Sequence, residues 1–390
     1  MTPVQQQTSR LSAQTYYYII VILIFAGLVT SLYLSLAHYW NYTDLGYQSF
    51  CAISRTLNCD TVAQSPFSIY LGLPVANWGV IGYAFLFILS LAFKPSKNCS
   101  PGFSLLCLLT GLFSLASTVL AAISFYIIKS YCILCMFSYG INYCLFLLTW
   151  MSQKRFGGGA FVEDLKKAFS HLALKRSKTM SICAVFTCII YISLVFYPKY
   201  WILQSFPNNQ RIDSGVTDDH HPWIGAKNPT LTIVEFSDYM CFQCSKMHNH
   251  LRQLVSRYPE KLRVVHRHFP LDHHVNPLIK DPVHPNSGLL SMFSIIAQEA
   301  DVFWPVNDIL FRDAREKGQI NFSDIARETG IDLTNLQILL NDKRLISRLM
   351  SDIRTGIHLG ITSTPSYLIN NKVYSGSIPE DIFAPLLERN

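Results

Sequence analysis

Leu231-Thr232-Ile233-Val234-Glu235-Phe236-Ser237-Asp238-Tyr239-Met240-Cys241-Phe242-Gln243-Cys244 sets an apolar, β-branched run, a short turn and a Cys-x-x-Cys pair in that order. Leu231 to Phe236 reads as a strand. Ser245 to Tyr258 reads as a helix, with Met247, Leu251, Leu254 and Val255 as its apolar positions. A CxxC that opens a helix puts its first sulfur at the positive end, where backbone N–H groups favour a thiolate at Cys241. Cys244 lies one turn further in and closes a disulfide with Cys241. A structural zinc pair would need another ligand pair of matching spacing. His248, His250, His266 and His268 are near in sequence, but no second CxxC follows that of the quoted stretch, so no metal is expected there.

Outward from this stretch, Leu262–Phe269 reads as a second strand. Helical patterns follow at Leu289–Glu299, Val306–Arg315, Phe322–Thr329 and, with breaks, Leu333–Thr355. Gly360 to Ile369, carrying Thr364-Pro365, reads as a turn and strand, Val373–Gly376 as its hairpin partner and Pro379–Leu387 as a last helix. Residues 199–220, with Pro207, Asn208, Asn209 and Gly215, read as a linker.

The N-terminal half has a different composition. Of 390 residues, 50% are apolar and 15% charged, against about 25% charged in soluble domains. Five segments are apolar enough to cross a bilayer, which takes roughly 20 residues each: about Tyr17–His38, Pro74–Phe93, Phe103–Ile128, Tyr131–Trp150 and Thr179–Phe196. The first reads as a retained helix, since only Arg10 precedes a long apolar run. Lys154, Arg155, Lys166, Lys167, Lys175, Arg176 and Lys178 crowd the stretch 151–178, and Lys94 and Lys97 the turn 94–98, whereas loop 39–73 has Arg55 against Asp44 and Asp60. By the positive-inside rule the first two face the cytoplasm, and loop 39–73 and everything after the fifth helix face outside. The formal net charge of +7 is then a topological signal and calls for no nucleic acid. Stretch 151–173, with Phe156, Phe161, Leu165, Phe169 and Leu172 among its bases, lies on the inner leaflet or forms a solvated loop.

Two further cysteine pairs fall on the outer side. Tyr131-Cys132-Ile133-Leu134-Cys135 sits where the fourth helix begins, its thiols one turn apart and able to form a disulfide that reopens. Cys51 and Cys59 flank a polar stretch of the first outer loop, as an exchanging pair or a static staple. Cys99, Cys107, Cys144, Cys183 and Cys188 read as structural.

The Cys51…Cys59 loop, Ser65 after it, and Cys132-Ile-Leu-Cys135 followed by Tyr139 and Asn142 resemble the vitamin K epoxide reductase family over roughly residues 15–150. That resemblance implies a four-helix bundle around a quinone, in which Cys135 attacks the quinone and Cys132 exchanges with the loop pair. It implies that Cys51 meets Cys132 while Cys59 receives electrons from outside, and that Ser65 and Tyr139 lie at the quinone headgroup, where a hydroxyl can stabilise charge developing on oxygen. From residue type alone, Ser65 equally suits a cap before Pro66 and Tyr139 an interfacial belt. Trp78 either packs on the ring or anchors its helix. A chain carrying both membrane and partner domain resembles bacterial members, which implies a respiratory quinone (ubiquinone or menaquinone) rather than vitamin K epoxide.

Residues 221–390 resemble the DsbA-like branch of the thioredoxin superfamily, through Cys241–Cys244, Thr364–Pro365 and the helical insertion between them. The resemblance implies a cis Pro365 beside the CxxC, where a substrate chain pairs; a trans turn proline is the plainer reading. The Phe242-Gln243 dipeptide is not the Pro-His of strongly oxidising members.

The expected fold is multi-domain: an all-α transmembrane four-helix bundle plus a fifth helix, followed by an α/β thioredoxin-like domain with a helical insertion. The divisions are 1–150 for the membrane domain (helices about 17–38, 74–93, 103–128 and 131–150), 151–178 for a cytoplasmic basic connector, 179–198 for the fifth helix, 199–220 for the linker and 221–390 for the outer domain. The expected function is a thiol oxidase of the bacterial inner membrane with its thioredoxin-like domain in the periplasm. Reduced secreted or periplasmic proteins would pass electrons through Cys241/Cys244, Cys51/Cys59 and Cys132/Cys135 to quinone in the bilayer. Tethering raises the effective concentration of the partner domain. The alternatives are a relay run in reverse as reductase or isomerase, a membrane-anchored chaperone with static disulfides, and a transporter, for which no charged residue within the spans speaks.

Overall fold

The computed structural model describes residues 12–53, 56–93, 102–157, 160–174, 176–202, 212–316, 320–334, 336 and 340–387. The turn with Lys94 and Lys97, together with Arg55, Cys99 and Lys175, lies outside the described residues, as does the side chain of Cys183. The chain forms two compact units that divide at Lys199/Tyr200.

In the first unit, α1 (Ala13–Thr43), α3 (Val75–Ala92), α4 (Gly102–Ile123) and α5 (Ile133–Phe156) are the long apolar helices, and each is long enough to cross a membrane. The 31-residue α1 outruns the expected 17–38, because neither Gly nor Pro interrupts it beyond the apolar run before Asp44. α4 stops at Ile123, and the expected last turn of the third span is a π-helical turn, Ser124–Ile128, closed by Lys129 at φ 55°. Small residues let the helices approach: a Cβ on Gly27 would sit 2.3 Å from the Tyr83 ring, and one on Gly82 2.5 Å from Phe113. α4 and α5 are further tied by Thr110 Oγ1 to Thr149 Oγ1 at 2.9 Å.

Between α1 and α3 the loop carries two elements not evident in the sequence. α2 (Cys59–Gln64) is capped by Asn58, whose side chain accepts from Asp60 N and Thr61 N. A two-strand hairpin, β1 (Ile69–Tyr70) and β2 (Leu73–Pro74), turns at Leu71 and Gly72, both at positive φ. The basic stretch after α5 is neither loop nor surface layer alone. It forms α6 (Phe161–Leu174), whose Ala168 is buried with Leu165 packed beside it in the bundle core. The fifth helix, α7, spans Arg176–Phe196.

The second unit is a six-stranded sheet of order β3-β4-β6-β5-β7-β8, with helices between. Its strands are β3 (Ser214–Val216), β4 (Pro222–Gly225), β5 (Leu231–Ser237), β6 (Leu262–His268), β7 (Ser366–Ile369) and β8 (Lys372–Ser375). β5 and β6 are parallel, linked by the crossover helix α8 (Phe242–Arg257), and the other pairs are antiparallel. β3 corrects the reading of 199–220 as linker throughout: three residues on an exposed edge give no alternation to detect. Within β5 the period of two sends Leu231 and Ile233 toward Met247, Leu251 and Val255 of α8, and Phe236 toward the opposite core. That second core draws on α9 (Ser287–Glu299) and α12 (Lys343–His358). With α10 (Phe303–Glu316) and α11 (Phe322–Thr329) they form the insertion between β6 and β7, and the chain closes with α13 (Ala384–Leu387).

Gly225 ends β4 at φ +112°, and a Cβ there would lie 2.0 Å from Leu262 O. Backbone at such φ with a side chain costs on the order of 1–3 kcal/mol before the clash is counted. Gly225→Ala is therefore expected to destabilise the second unit by at least about 2 kcal/mol, read as a lower urea midpoint in pulse proteolysis of the full chain.

Candidate active site

The membrane unit gathers its cysteines by backbone strapping. Asn58 N donates to Tyr131 O (2.9 Å) and Tyr131 N to Thr56 O (2.7 Å), which fixes the loop segment before Cys59 against the residue before Cys132. Cys51 and Cys59 are disulfide-bonded, with Cα atoms 5.6 Å apart. Cys51, Cys59 and Cys132 are buried in one cluster, with Cys135 partly buried beside them. Cys132 caps α5, its Sγ accepting from Cys135 N at 3.1 Å. Asp60, next to Cys59, is buried and accepts from Asn41 Nδ2 (2.7 Å) and Ser49 N (3.0 Å). Its carboxylate thus ties α1, the loop and α2 together.

A cavity of about 310 Å³ opens within the bundle, at the low end of the range typical of small-molecule sites. Cys59, Cys132 and Cys135 line it, and so do Ser65, Trp78, Tyr139 and Asn142. Every residue singled out from the sequence for the cofactor therefore lines this one cavity. Ser65 does not cap the 3-10 turn that follows it; its Oγ donates back to Val62 O at 2.8 Å. Trp78 Nε1 donates to Tyr70 O at 2.9 Å, which holds the indole in place. Asn142 accepts from Tyr83 OH (2.7 Å) and donates to Ser117 Oγ (2.8 Å). His38, from α1, also lines the cavity, its Nε2 3.3 Å from Ser68 Oγ; the sequence offered only a single polar residue at the end of an apolar run. The remaining wall is largely aliphatic and aromatic, including Leu34, Val62, Phe113 and Leu120. Apolar walls, a few hydroxyl and amide groups and a thiol pair fit a quinone headgroup.

In the second unit Cys241 caps α8 and accepts from Cys244 N at 3.4 Å. Cys241 is 8% exposed and Cys244 1%. The Thr364–Pro365 peptide is cis, and Thr364 O accepts from Cys241 Sγ at 3.5 Å, so the CxxC and the proline loop do meet. The hydrogen bond from Cys244, and after it the nearby charge of His284, lower the Cys241 thiol to about 7, against burial and the Asp238 carboxylate, which raise it. Burial, more than any other cause, pushes Cys244 well above the ordinary thiol range.

Sequence reasoning missed Asp238 and His284; an Asp in a turn and a His in a Pro-flanked loop carry no local signal. The histidines near the CxxC are engaged elsewhere: His266 Nδ1 lies 2.7 Å from the buried Glu235, and His248 Nε2 2.6 Å from Asp308. Among the described residues, Asp272, His273 and His274 bring one ligand-type atom each within 4.8 Å of one another, with Asp272 already accepting from His274 N and Gly288 N. Cys144 and Cys188 are exposed on their helices and Cys107 is buried, all three as free thiols.

Fold and site together define a bundle of long apolar helices with a cysteine-lined cavity, followed by a thioredoxin-like domain with its own CxxC. Residues 18–150 match the Vitamin K epoxide reductase family and residues 217–389 match Thioredoxin, so the chain joins a domain of the first family to one of the second. Among curated proteins, Na(+)/H(+) antiporter NhaA 3 of Salinispora tropica is 25% identical over 152 residues, 39% of this chain and 22% of that protein. Na(+)/H(+) antiporter NhaA of Herminiimonas arsenicoxydans is 24% identical over 164 residues, 42% of this chain and 24% of that protein. The chain thus spans about a quarter of the length of these relatives. Among solved structures, a thioredoxin-like oxidoreductase from Silicibacter pomeroyi covers 44% of this chain and 91% of its own, at 20% identity and TM-score 0.35. Pseudomonas aeruginosa DsbA2 covers 47% and 95%, at 21% identity and TM-score 0.35.

Proposed function

We propose that this protein is a quinone-dependent thiol oxidase of the bacterial cytoplasmic membrane that reoxidises its own thioredoxin-like domain and so generates disulfides in exported proteins. The observation that carries the reading is the lining of the bundle cavity, to which Cys59, Cys132 and Cys135 contribute together with Ser65, Tyr139, Trp78 and Asn142. A bound quinone supplies a two-electron, two-proton acceptor, so that one substrate dithiol becomes a disulfide for each quinone that becomes quinol. In that direction a reduced loop thiol attacks Cys132 of the Cys132–Cys135 disulfide, and Cys135 leaves as the thiolate that faces the cavity.

The family resemblance gives the exchange with Cys132 to Cys51 and the receipt of electrons from the thioredoxin-like domain to Cys59. Burial supports that order: Cys51, 1% exposed against 7% for Cys59, is the deeper sulfur of the cluster the two share with Cys132. In the thioredoxin-like domain Cys241 takes part in the mixed disulfide with substrate, and Cys244 closes the internal disulfide.

Orientation follows the charge. Lys154 and Arg155 lie in the last turn of α5, and Arg155 and Phe156 meet Tyr16 of early α1. Cys132 caps the opposite end of α5, which supports an outer, periplasmic face for all four membrane-unit cysteines. An oxidising compartment there suits disulfide donation.

The test is the purified full chain given a reduced dithiol peptide and a ubiquinone or menaquinone analogue. One quinol per two peptide thiols lost is expected. A thioredoxin-like domain that exchanges with peptide while no quinol forms would overturn the proposal. A Cys241 thiol lowered only to about 7 is milder than that of the strongest oxidants and keeps reverse flow as the second reading. Peptide reduction driven by quinol in the same preparation would favour it.

A further inference from the structure

Asp238 is an awkward residue to find before a nucleophile. It is fully buried and stands three positions ahead of Cys241. Its backbone oxygen accepts from Cys241 N at 3.1 Å, and Oδ1 accepts from Met240 N at 2.7 Å. These bonds build the turn that launches α8 and holds the first cysteine at its cap. A buried carboxylate beside a sulfur that must carry negative charge opposes that charge. The turn therefore gains geometry at an electrostatic cost.

The loop after β6 answers that cost. His284 Nδ1 lies 3.0 Å from Asp238 Oδ2. Leu271 N donates to the same oxygen at 2.6 Å, and His284 N donates to Leu271 O at 3.2 Å. The loop is thus fastened to the carboxylate at two points and to itself at a third, which holds the imidazole against Asp238. Its side chain remains 23% exposed, so it can exchange protons with solvent. The groups facing Cys241 are Cys244 on α8, Asp238 in the turn, His284 on this loop, and Thr364 O with Tyr367 from the proline loop and β7. Among them His284 alone can carry a positive charge. The dipeptide Phe242-Gln243 supplies none.

We propose that His284 is a positioning residue for Cys241: clamped by Asp238, it offsets that carboxylate and sets the thiolate of the CxxC from a loop distant in sequence, in place of a basic residue between the cysteines. This rests on the assignment of Cys241 as the reactive thiol.

The test is alkylation of the fully reduced, full-length protein with iodoacetamide across pH, read separately at the Cys241 and Cys244 peptides by mass spectrometry. In the wild type the Cys241 midpoint is expected near 7. His284→Gln is expected to raise it by half to one unit, so that alkylation at pH 6 slows about 3- to 10-fold. His284→Lys, which keeps a cation without the imidazole, is expected to stay near the wild-type midpoint. His273→Gln, in the same loop, is expected to leave it unchanged. A His284→Gln profile that superimposes on the wild type overturns the inference. So does a His284→Lys midpoint raised as far as that of His284→Gln, or an equal shift in His273→Gln, since either would mark loop disruption instead of charge. Alkylation of Cys244 before Cys241 would instead overturn the underlying assignment of the reactive thiol.

Discussion

Cys135→Ser is expected to lower quinone-coupled turnover by at least about 10³-fold while the Cys241–Cys244 pair still exchanges once with a reduced peptide. Of the membrane pair, Cys132 is buried under the loop and Cys135 is the more open, with its thiol in the cavity wall. Without Cys135, Cys132 can still attack the loop disulfide, but no neighbouring thiol resolves the product. The variant should therefore accumulate a mixed disulfide between Cys132 and Cys51. Non-reducing peptide mapping reads it directly, and rapid mixing should show one burst of peptide oxidation with no steady state. Linkage of Cys132 to Cys59 would reverse the order assigned to the loop sulfurs. Steady quinol production in the variant would remove Cys135 from the relay altogether. Cys144→Ser and Cys188→Ser are the controls: both thiols are exposed on the outer faces of their helices, away from the cavity, and neither should change turnover.

The placement of each CxxC at a helix start was legible in the sequence because the spacing is local. A CxxC at a helix start and a strand before it are fixed by neighbours in the chain. The four long apolar helices were legible for the same reason, down to a few residues at their ends. What escaped was held by contacts between distant segments. α2 rests on a cap from Asn58, and the place of Cys59 on a backbone strap to Tyr131. β3 has three exposed-edge residues and no period to read. The cavity residues form a middle case. Residue type left Ser65 between a cap and a site, Tyr139 between belt and site, and Trp78 between anchor and ring; only the family resemblance tipped each one, and all three, with Asn142, line the one bundle cavity. His38, Asp60, Asp238 and His284 had no such help. Each is a single polar residue whose meaning comes from what the fold brings within hydrogen-bond reach.

The two cysteines of the thioredoxin-like domain should fail in opposite ways. Cys244→Ser is expected to abolish steady turnover, by at least about 10³-fold, and to leave Cys241 as a nearly stoichiometric mixed disulfide when an oxidised peptide is supplied. Cys241→Ser should lose turnover equally but trap almost nothing. The asymmetry comes from burial and charge together. Cys244, 1% exposed, sits one turn inside α8 with its thiol held well above the ordinary range, so at neutral pH it is neither reachable by a peptide nor ionised. Cys241 caps the helix beside the cis Thr364–Pro365 bond and ionises near 7. The sign of the pH dependence follows: the attacking form is the thiolate, so trapping by Cys244→Ser should rise as pH increases through about 7 and level off above it. Serine at 244 keeps a hydroxyl that can donate to the Cys241 sulfur, so the midpoint should move little. The measurement is the rate of mixed-disulfide formation on non-reducing gels between pH 5 and 9. If Cys241→Ser trapped peptide as fast as Cys244→Ser, burial would not be protecting the second sulfur, and the start of α8 would have to open during exchange.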